Sequence, residues 1–316
     1  MVVEGSVVPG SVVPGSVVEV LRRFNRSYTQ RIGVLDDSYL GTGRSLGPSR
    51  LLFEIGPDGT AVVDLRGRLG LDSGYLSRLL RQLEAERLVA VVPDPSDRRR
   101  RVVRLTSTGR AERATIDARS EALAQQLVAP LSDRQRSELA TALESAERLL
   151  RAATASFDVV DPRSCDARWA MGEYFAELDE RFPTGFDADI ARDEAAEAAA
   201  FTPPAGVFVL IRSDGETVGC GGLQALDAST SEIKRMWTHP EWRGSGLGRR
   251  MVQRLEQLAA EAGATRVVLD TNDSLTEAIA MYAALGYDPT ERYNANPYAQ
   301  RWFTKHLADR ASPPVN

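Results

Sequence analysis

The sequence predicts a two-domain chain. First comes a mostly helical domain, with two helices joined by a tight turn and a strand hairpin behind them. An α/β domain built on a mixed sheet follows. Three observations lead there. The chain has 316 residues, more than one typical core organises. Its charge is split: 23 basic against 19 acidic residues in 1–155 and 16 against 25 in the remainder, within a net charge of −5. The apolar spacing also changes, from helical periods before residue 155 to alternating short strands and helices after it. The expected divisions are a low-complexity leader at 1–16, the helical domain at 17–155, the α/β domain at 156–310 and a tail at 311–316.

Composition narrows the function classes. Hydrophobic residues make up 43% and charged residues 26%, ordinary for a soluble globular chain. No run approaches the roughly 18 apolar residues of a membrane span. The start lacks the basic region of a signal peptide. Cys165 and Cys220 lie far apart, and His239 and His306 have no cysteine cluster beside them. A cytoplasmic, metal-free protein without disulfides or membrane contact is therefore expected.

The leader repeats "GSVVP", "GSVVP", "GSVVE", and Gly and Pro at fixed offsets oppose a helix. From Val17 the spacing turns helical through Val20, Leu21 and Phe24. Val62, Leu65 and Leu69 put a short helix on a core, and Leu71 and Asp72 make a turn. Leu76, Leu79, Leu80 and Leu83 then form an i, i+3, i+4, i+7 stripe. The opposite face carries Ser73, Tyr75, Ser77, Arg78 and Gln82, side chains able to hydrogen-bond base edges. "LVAVV" and "RVVRLT" read as a hairpin with Arg98, Arg99, Arg100 and Arg101 at its tip, where guanidinium groups would neutralise phosphates. Helix, turn, helix and basic hairpin in that order make a winged helix-turn-helix.

"LSRLLRQLEAERLV" followed by "DPSDRRRRVVRLTSTGR" resembles the MarR (multiple antibiotic resistance regulator) family over about Val17 to Ala155. The D-x-R pattern at Asp97–Arg99 and L-T-x-x-G at Leu105–Gly109 carry the resemblance. Glu86-Arg87 departs from it where the family has Gly, which alters the helix C-cap. The resemblance implies a homodimer formed by terminal helices and bound to double-stranded, pseudopalindromic operator DNA.

Long helical patterns follow at about Ala111–Ala129 and Asp133–Ala155, the second with Leu139, Leu143, Ala146 and Leu150 on one face. Then come strand "FDVVDPRS" with its turn, strands "VFVLIR", "ETVGCGGL" and "SEIKRMWT", a helix from Gly246, strand "TRVVLDT", a helix from Ser274 and strand "QRWFTK". Ser274 and Glu277 have capping-box spacing. Within "HPEWRGSGLGRR" the spacing fails G-x-G-x-x-G, because the sixth position from Gly244 is Arg249, and no lysine is present for a Walker A loop. A strand, a glycine loop and a helix start remain. Orphaned N–H groups at a helix N-terminus bind anions. Gly244, Gly246 and Gly248 let a pyrophosphate approach, and Arg243, Arg249 and Arg250 add charge. The helix runs through Leu247, Met251, Leu255 and Leu258 and stops at Gly263.

"EIKRMWTHPEWRGSGLGRRMVQRLE" resembles the acetyl-CoA motif of the GNAT (GCN5-related) N-acetyltransferases, [RQ]-x-x-G-x-[GA], filled by Arg243, Gly246 and Gly248. "LDTNDSLTEAIAMYAALGY" is similar to a later family element with Asn272 and Tyr282. The resemblance spans about Phe157 to Leu307. It implies a GNAT acyltransferase fold with acetyl-CoA as co-substrate. Met236, Trp237, Thr238, Arg243, Gly244, Ser245, Gly246, Leu247, Gly248, Arg249 and Asn272 would bind it. It further implies acetyl transfer to a small-molecule or peptide amine, with a main-chain N–H of Met236–Thr238 on the oxyanion. Tyr282 would protonate the leaving thiolate, or is a packed aromatic flanked by Ile279 and Leu285. Glu232 is a candidate base or a bystander carboxylate. His239 shapes the turn before Pro240. The whole reads as a regulator fused to an N-acetyltransferase; the alternative is a regulator whose second domain senses acetyl-CoA or a metabolite without turnover.

Overall fold

The computed structural model describes residues 16–94, 97–182, 185–186 and 194–307. The leader up to residue 15 and the tail at 311–316 lie outside the described residues. The chain divides into two compact units, Met1–Ser137 and Glu138–Asn316. Among the described residues, no helix is long and apolar enough to cross a membrane.

The first unit is helical around a small sheet. Its elements are α1 (Val17–Arg31), α2 (Leu46–Glu54), β1 (Thr60–Ala61), α3 (Val62–Leu69), α4 (Ser73–Ala85), β2 (Val89–Pro93), β3 (Arg101–Leu105), α5 (Ser107–Val128) and the start of α6 (Asp133–Ala153). Ser16 caps α1 in a capping box with Glu19. Gly70, at φ 61°, ends α3, and the Asp72 side chain accepts the Tyr75 N–H to begin α4. The stripe of Leu76, Leu79, Leu80 and Leu83 is buried with Leu51, Leu52, Ile55 and Leu65. The sheet order is β1-β3-β2, with β2 and β3 antiparallel from Val89↔Leu105 to Pro93↔Arg101. A helix–turn–helix with a wing is the result.

The L-T-x-x-G stretch has a local cause. The Thr106 hydroxyl accepts the Gly109 N–H and donates to the Arg87 carbonyl at 2.7 Å. A Cβ on Gly109 would lie 1.9 Å from the Leu88 carbonyl oxygen, so only glycine lets α5 approach the hairpin. The Glu86-Arg87 departure leaves the helix end intact but strained. Arg87 sits at φ 58°, the left-handed conformation glycine adopts without penalty.

The second unit contains the rest of α6, then β4 (Ser156–Val160), α7 (Cys165–Arg181), α8 (Glu194–Ala200), β5 (Gly206–Ser213), β6 (Glu216–Ala225), β7 (Thr230–Thr238), α9 (Leu247–Glu261), β8 (Arg266–Thr271), α10 (Thr276–Ala284), β9 (Asp288–Pro289) and β10 (Arg301–His306). The seven-stranded sheet runs β4-β5-β6-β7-β8-β10-β9. Among the described residues only β7 and β8 pair in parallel, so the sheet is mixed. Strand alternation sends β5 into two cores. Val209 and Ile211 pack with Met251, Val252 and Leu255 of α9. Phe208 and Leu210 pack with Ala167 and Ala170 of α7. The division between units falls inside α6, before the 155/156 boundary expected from sequence, because Ala152 and Ala155 are buried in the second core.

The sequence reading has no helix at α2, α7 or α8. The buried positions of α7 include Ala167 and Ala170, whose small side chains make a weak apolar stripe.

Candidate functional site

Two backbone features open the sheet. β7 pairs with β8 only from Thr230↔Arg266 to Ile233↔Leu269. Beyond Ile233 the strands part. On the other edge the register shifts from Gly222↔Lys234 to Cys220↔Trp237, so Arg235 and Met236 oppose Gly221 alone. This is a β-bulge, with Arg235 at φ 57°. Burial holds the bulge in place: Arg235 Nε lies 2.5 Å from Glu197 Oε1 on α8, and its guanidinium stacks 5.1 Å from the Phe175 ring centroid.

Two cavities, of about 510 and 250 Å³, occupy the opening. They share Tyr174, Leu178, Met236, Leu275, Ala278 and Tyr282. The larger reaches the glycine loop through Thr238, Arg243, Gly244, Gly246, Gly248 and Arg249. Gly244 and Gly246 sit at φ 73° and 85°, and a Cβ on either would meet nothing within 4 Å. Gly246 is the N-cap of α9, and the first helical bond of the loop runs from the Arg250 N–H to the Gly246 carbonyl. The N–H groups of Gly246, Leu247, Gly248 and Arg249 have no acceptor among the described residues. Open space in front of orphaned donors at a helix N-terminus fits a pyrophosphate.

Tyr282 is 5% exposed and forms a wall of both cavities. Burial pushes its phenol above the ordinary tyrosine value, with Tyr174 and Asp270 adding to the rise. It therefore keeps its proton at neutral pH.

In the first unit, Ser73, Ser77, Arg78 and Gln82 are exposed on the face of α4 opposite the leucine stripe. Arg98, Arg99 and Arg100 are exposed at the wing tip. Asp97 shapes that tip, its Oδ1 accepting the Arg99 N–H and its carbonyl the Arg100 N–H.

Residues 42–100 match the profile of the MarR family and residues 169–287 that of the acetyltransferase (GNAT) family. The chain joins a MarR-family segment to a GNAT-family segment. An uncharacterized N-acetyltransferase of Schizosaccharomyces pombe is 33% identical over 99 residues, which cover 31% of this chain and 61% of that protein. The chain spans less than two thirds of the length of that relative, and 59% and 54% of two others. Among solved structures, a GNAT-family acetyltransferase of Staphylococcus aureus matches with TM-score 0.43 at 17% identity, covering 48% of this chain and 100% of that one. A MarR-family regulator of Rhodococcus matches with TM-score 0.35 at 21% identity, covering 42% and 96%.

The GNAT segment redistributes several expected residues. Met236, Trp237, Thr238, Arg243, Gly244, Gly246, Leu247, Gly248 and Arg249 all line the larger cavity. Ser245 does not line it; its hydroxyl donates to the Trp242 carbonyl at 2.5 Å. Asn272 belongs to the smaller cavity, its amide spent on the Tyr298 carbonyl and the Ser274 N–H. Arg250 adds no charge to the loop. It turns back to the carbonyls of Ala152 and Ala155 and stacks on Phe157. Glu232 lines neither cavity. It is 3% exposed and enclosed by Lys234, Tyr293 and Asn294. Among the described residues, the carboxylate that lines the smaller cavity is Asp270. The Ser274–Glu277 capping box does not form. α10 starts at Thr276, the buried Ser274 hydroxyl has no partner among the described residues, and Glu277 accepts from Arg181. His239 caps the short 3-10 turn Pro240–Trp242.

Sequence reasoning missed α7, which supplies Tyr174, Glu177 and Arg181. Glu177 accepts from Arg243, from Trp237 Nε1 at 3.0 Å and from Arg181 at 3.1 Å. The 3–4-residue spacing of Ala167, Ala170, Tyr174, Glu177, Leu178 and Arg181 after the Ser164 cap was the available signal. In the MarR segment, Tyr75 is half-buried against the leucine core with Arg78 on its ring, and Gln82 donates to Glu86.

Proposed function

We propose that the chain is an operator-binding regulator fused to an acetyl-CoA-dependent N-acetyltransferase, acting as a homodimer. The reading rests above all on one observation: a continuous cavity runs from unpaired helix-start N–H groups to a buried tyrosine, through the gap where β7 leaves β8.

The N–H groups of Gly246 to Arg249 receive the pyrophosphate of coenzyme A, with Arg249 beside them. Arg243 joins them when the phosphate draws it from Glu177. The edge of β7 beyond Ile233 lacks its β8 ladder, so a main-chain N–H near Met236 is available to the thioester carbonyl. A neutral amine attacks the carbonyl carbon and its lone pair becomes the new C–N bond. The C=O electrons move to oxygen and return as the C–S bond breaks. Tyr282 gives the departing thiolate a proton, and the nitrogen loses one to restore the balance.

For the regulator, α4 offers Ser73, Ser77 and Arg78 to a major groove while Arg98–Arg100 reach phosphates. Dimerisation is supported by α1, which has no buried residue and exposes Val17, Val20, Leu21, Phe24 and Tyr28. Calorimetric titration with acetyl-CoA tests the enzyme: saturable heat is expected, and none at millimolar nucleotide removes the reading. Light scattering and operator titration at fixed salt test the dimer and the DNA-binding half.

A further inference from the structure

We propose that the smaller cavity takes a primary amine carried on an aromatic or flat apolar body, with Asp270 receiving its ammonium group. The inference rests on the acetyl-transfer reading and names the acceptor for that site.

The body is specified by rings. Phe182, Phe186 and Tyr298 line the cavity and pack on one another, with centroids 4.7 Å apart for Phe186–Tyr298, 5.9 Å for Phe182–Tyr298 and 6.0 Å for Phe182–Phe186. Such a wall favours a flat ring in offset or edge contact. At about 250 Å³, the cavity holds a compact molecule.

The charge is specified by what each ion already has. Lys234 Nζ is 2.9 Å from Glu232 Oε1 and 4.0 Å from Asp270 Oδ2. Arg235 is held by Glu197 at 2.5 Å. Both lining cations therefore have a carboxylate of their own. Asp270 accepts from the Asn294 and Asn296 amides, at 2.6 and 3.1 Å, and both bonds fall on Oδ2. Oδ2 thus carries both amide bonds and the longer Lys234 contact, whereas Oδ1 accepts from no described residue. An ammonium group completes this carboxylate, and nearby ring faces add to the attraction. An acceptor carrying its own carboxylate would bring a second anion to a site whose described cations, Lys234 and Arg235, are already paired.

The chemistry closes on the shared wall. The ammonium loses its first proton to Asp270, and the freed lone pair forms the C–N bond to the thioester carbon. The C–S bond breaks and the thiolate takes the Tyr282 proton. The amide nitrogen gives up its second proton to Tyr282, and Asp270 returns its own to water. The sum is ammonium plus acetyl-CoA giving acetamide, free thiol and one proton.

The test uses the full chain, acetyl-CoA and a thiol-release assay with 2-phenylethylamine, phenylalanine, butylamine, spermidine and a lysine peptide. The expected kcat/KM for 2-phenylethylamine is at least tenfold above each of the others. D270N lowers it a further tenfold or more, while acetyl-CoA affinity by calorimetry stays within twofold. Tyr298→Leu, a cavity-wall change, narrows the ratio of phenylethylamine to butylamine by at least threefold, and serves if D270N does not fold. Preference for phenylalanine, spermidine or the peptide, or an unchanged ratio in Tyr298→Leu, overturns the proposal while acetyl-CoA binding leaves the transfer reading standing. Absence of acetyl-CoA binding overturns both.

Discussion

Replacing Tyr282 by Phe removes one oxygen and keeps the ring. The ring is buried against Tyr287 and Phe303, at centroid distances of 5.8 and 6.2 Å. The hydroxyl has no hydrogen-bond partner among the described residues, so folding should change by less than about 1 kcal/mol. The chemical loss is far larger. General acid catalysis contributes about 10²–10⁴ in rate, or roughly 3–5 kcal/mol of barrier. In the thiol-release assay, kcat is expected to fall by about two orders of magnitude or more, with the KM for acetyl-CoA unchanged. The pH dependence has a definite sign. Burial, with help from Tyr174 and Asp270, raises the phenol above its usual value near 10. The protonated donor is thus complete at neutral pH and is lost only above that value, so Tyr282 contributes no alkaline fall in kcat below pH 10. A Tyr282→Phe enzyme within twofold of the parent in kcat would refute the reasoning, since the residue would then be a packed aromatic only.

Arg87→Gly relieves the left-handed conformation at φ 58° and should stabilise the first unit by about 0.5–1 kcal/mol, read as a higher melting temperature. Gly246→Ala puts a side chain at φ 85°, at the N-cap that precedes the orphaned N–H groups. It should cost roughly 1–2 kcal/mol of folding and weaken acetyl-CoA binding more than tenfold, whereas unchanged affinity would remove the loop from the cofactor site. Replacing Arg98, Arg99 and Arg100 together by Ala should flatten the salt dependence of DNA binding, by up to about 0.9 in slope for each phosphate no longer neutralised. Anisotropy titrations between low and physiological salt would show it. Leu83→Ala empties a fully buried position under the candidate reading helix and should destabilise that unit by about 2–5 kcal/mol, read by denaturant unfolding.

Much of both units was legible because the signal is local. A stripe such as Leu76, Leu79, Leu80 and Leu83 declares a helix and its buried face within two turns. Asp72 and Gly70 mark the ends of α4 and α3 by their own chemistry. The same holds for the glycine loop, whose residues and helix start are contiguous. Local rules fell short where a distant partner intervened. Ser274 and Glu277 have capping spacing, but Glu277 is taken by Arg181, 96 residues away. Glu232 sits on the expected strand, but Tyr293 and Asn294 return from 61 and 62 residues on to enclose it.

By itself the sequence determined the kinds of groups present and their order: a polar helix face ahead of an arginine-tipped hairpin, and a glycine loop ahead of a helix with a tyrosine beyond. Only the tertiary structure decided which groups share a cavity. It brought Glu177 of α7 onto Arg243 across 66 residues and chose Asp270 over Glu232 as the carboxylate at the cavity wall. It also parted β7 from β8 after Ile233. The physical reason is that side-chain periodicity follows backbone geometry a few residues at a time. Partners across a sheet or between helices are settled instead by close packing, which joins residues with no common period along the chain.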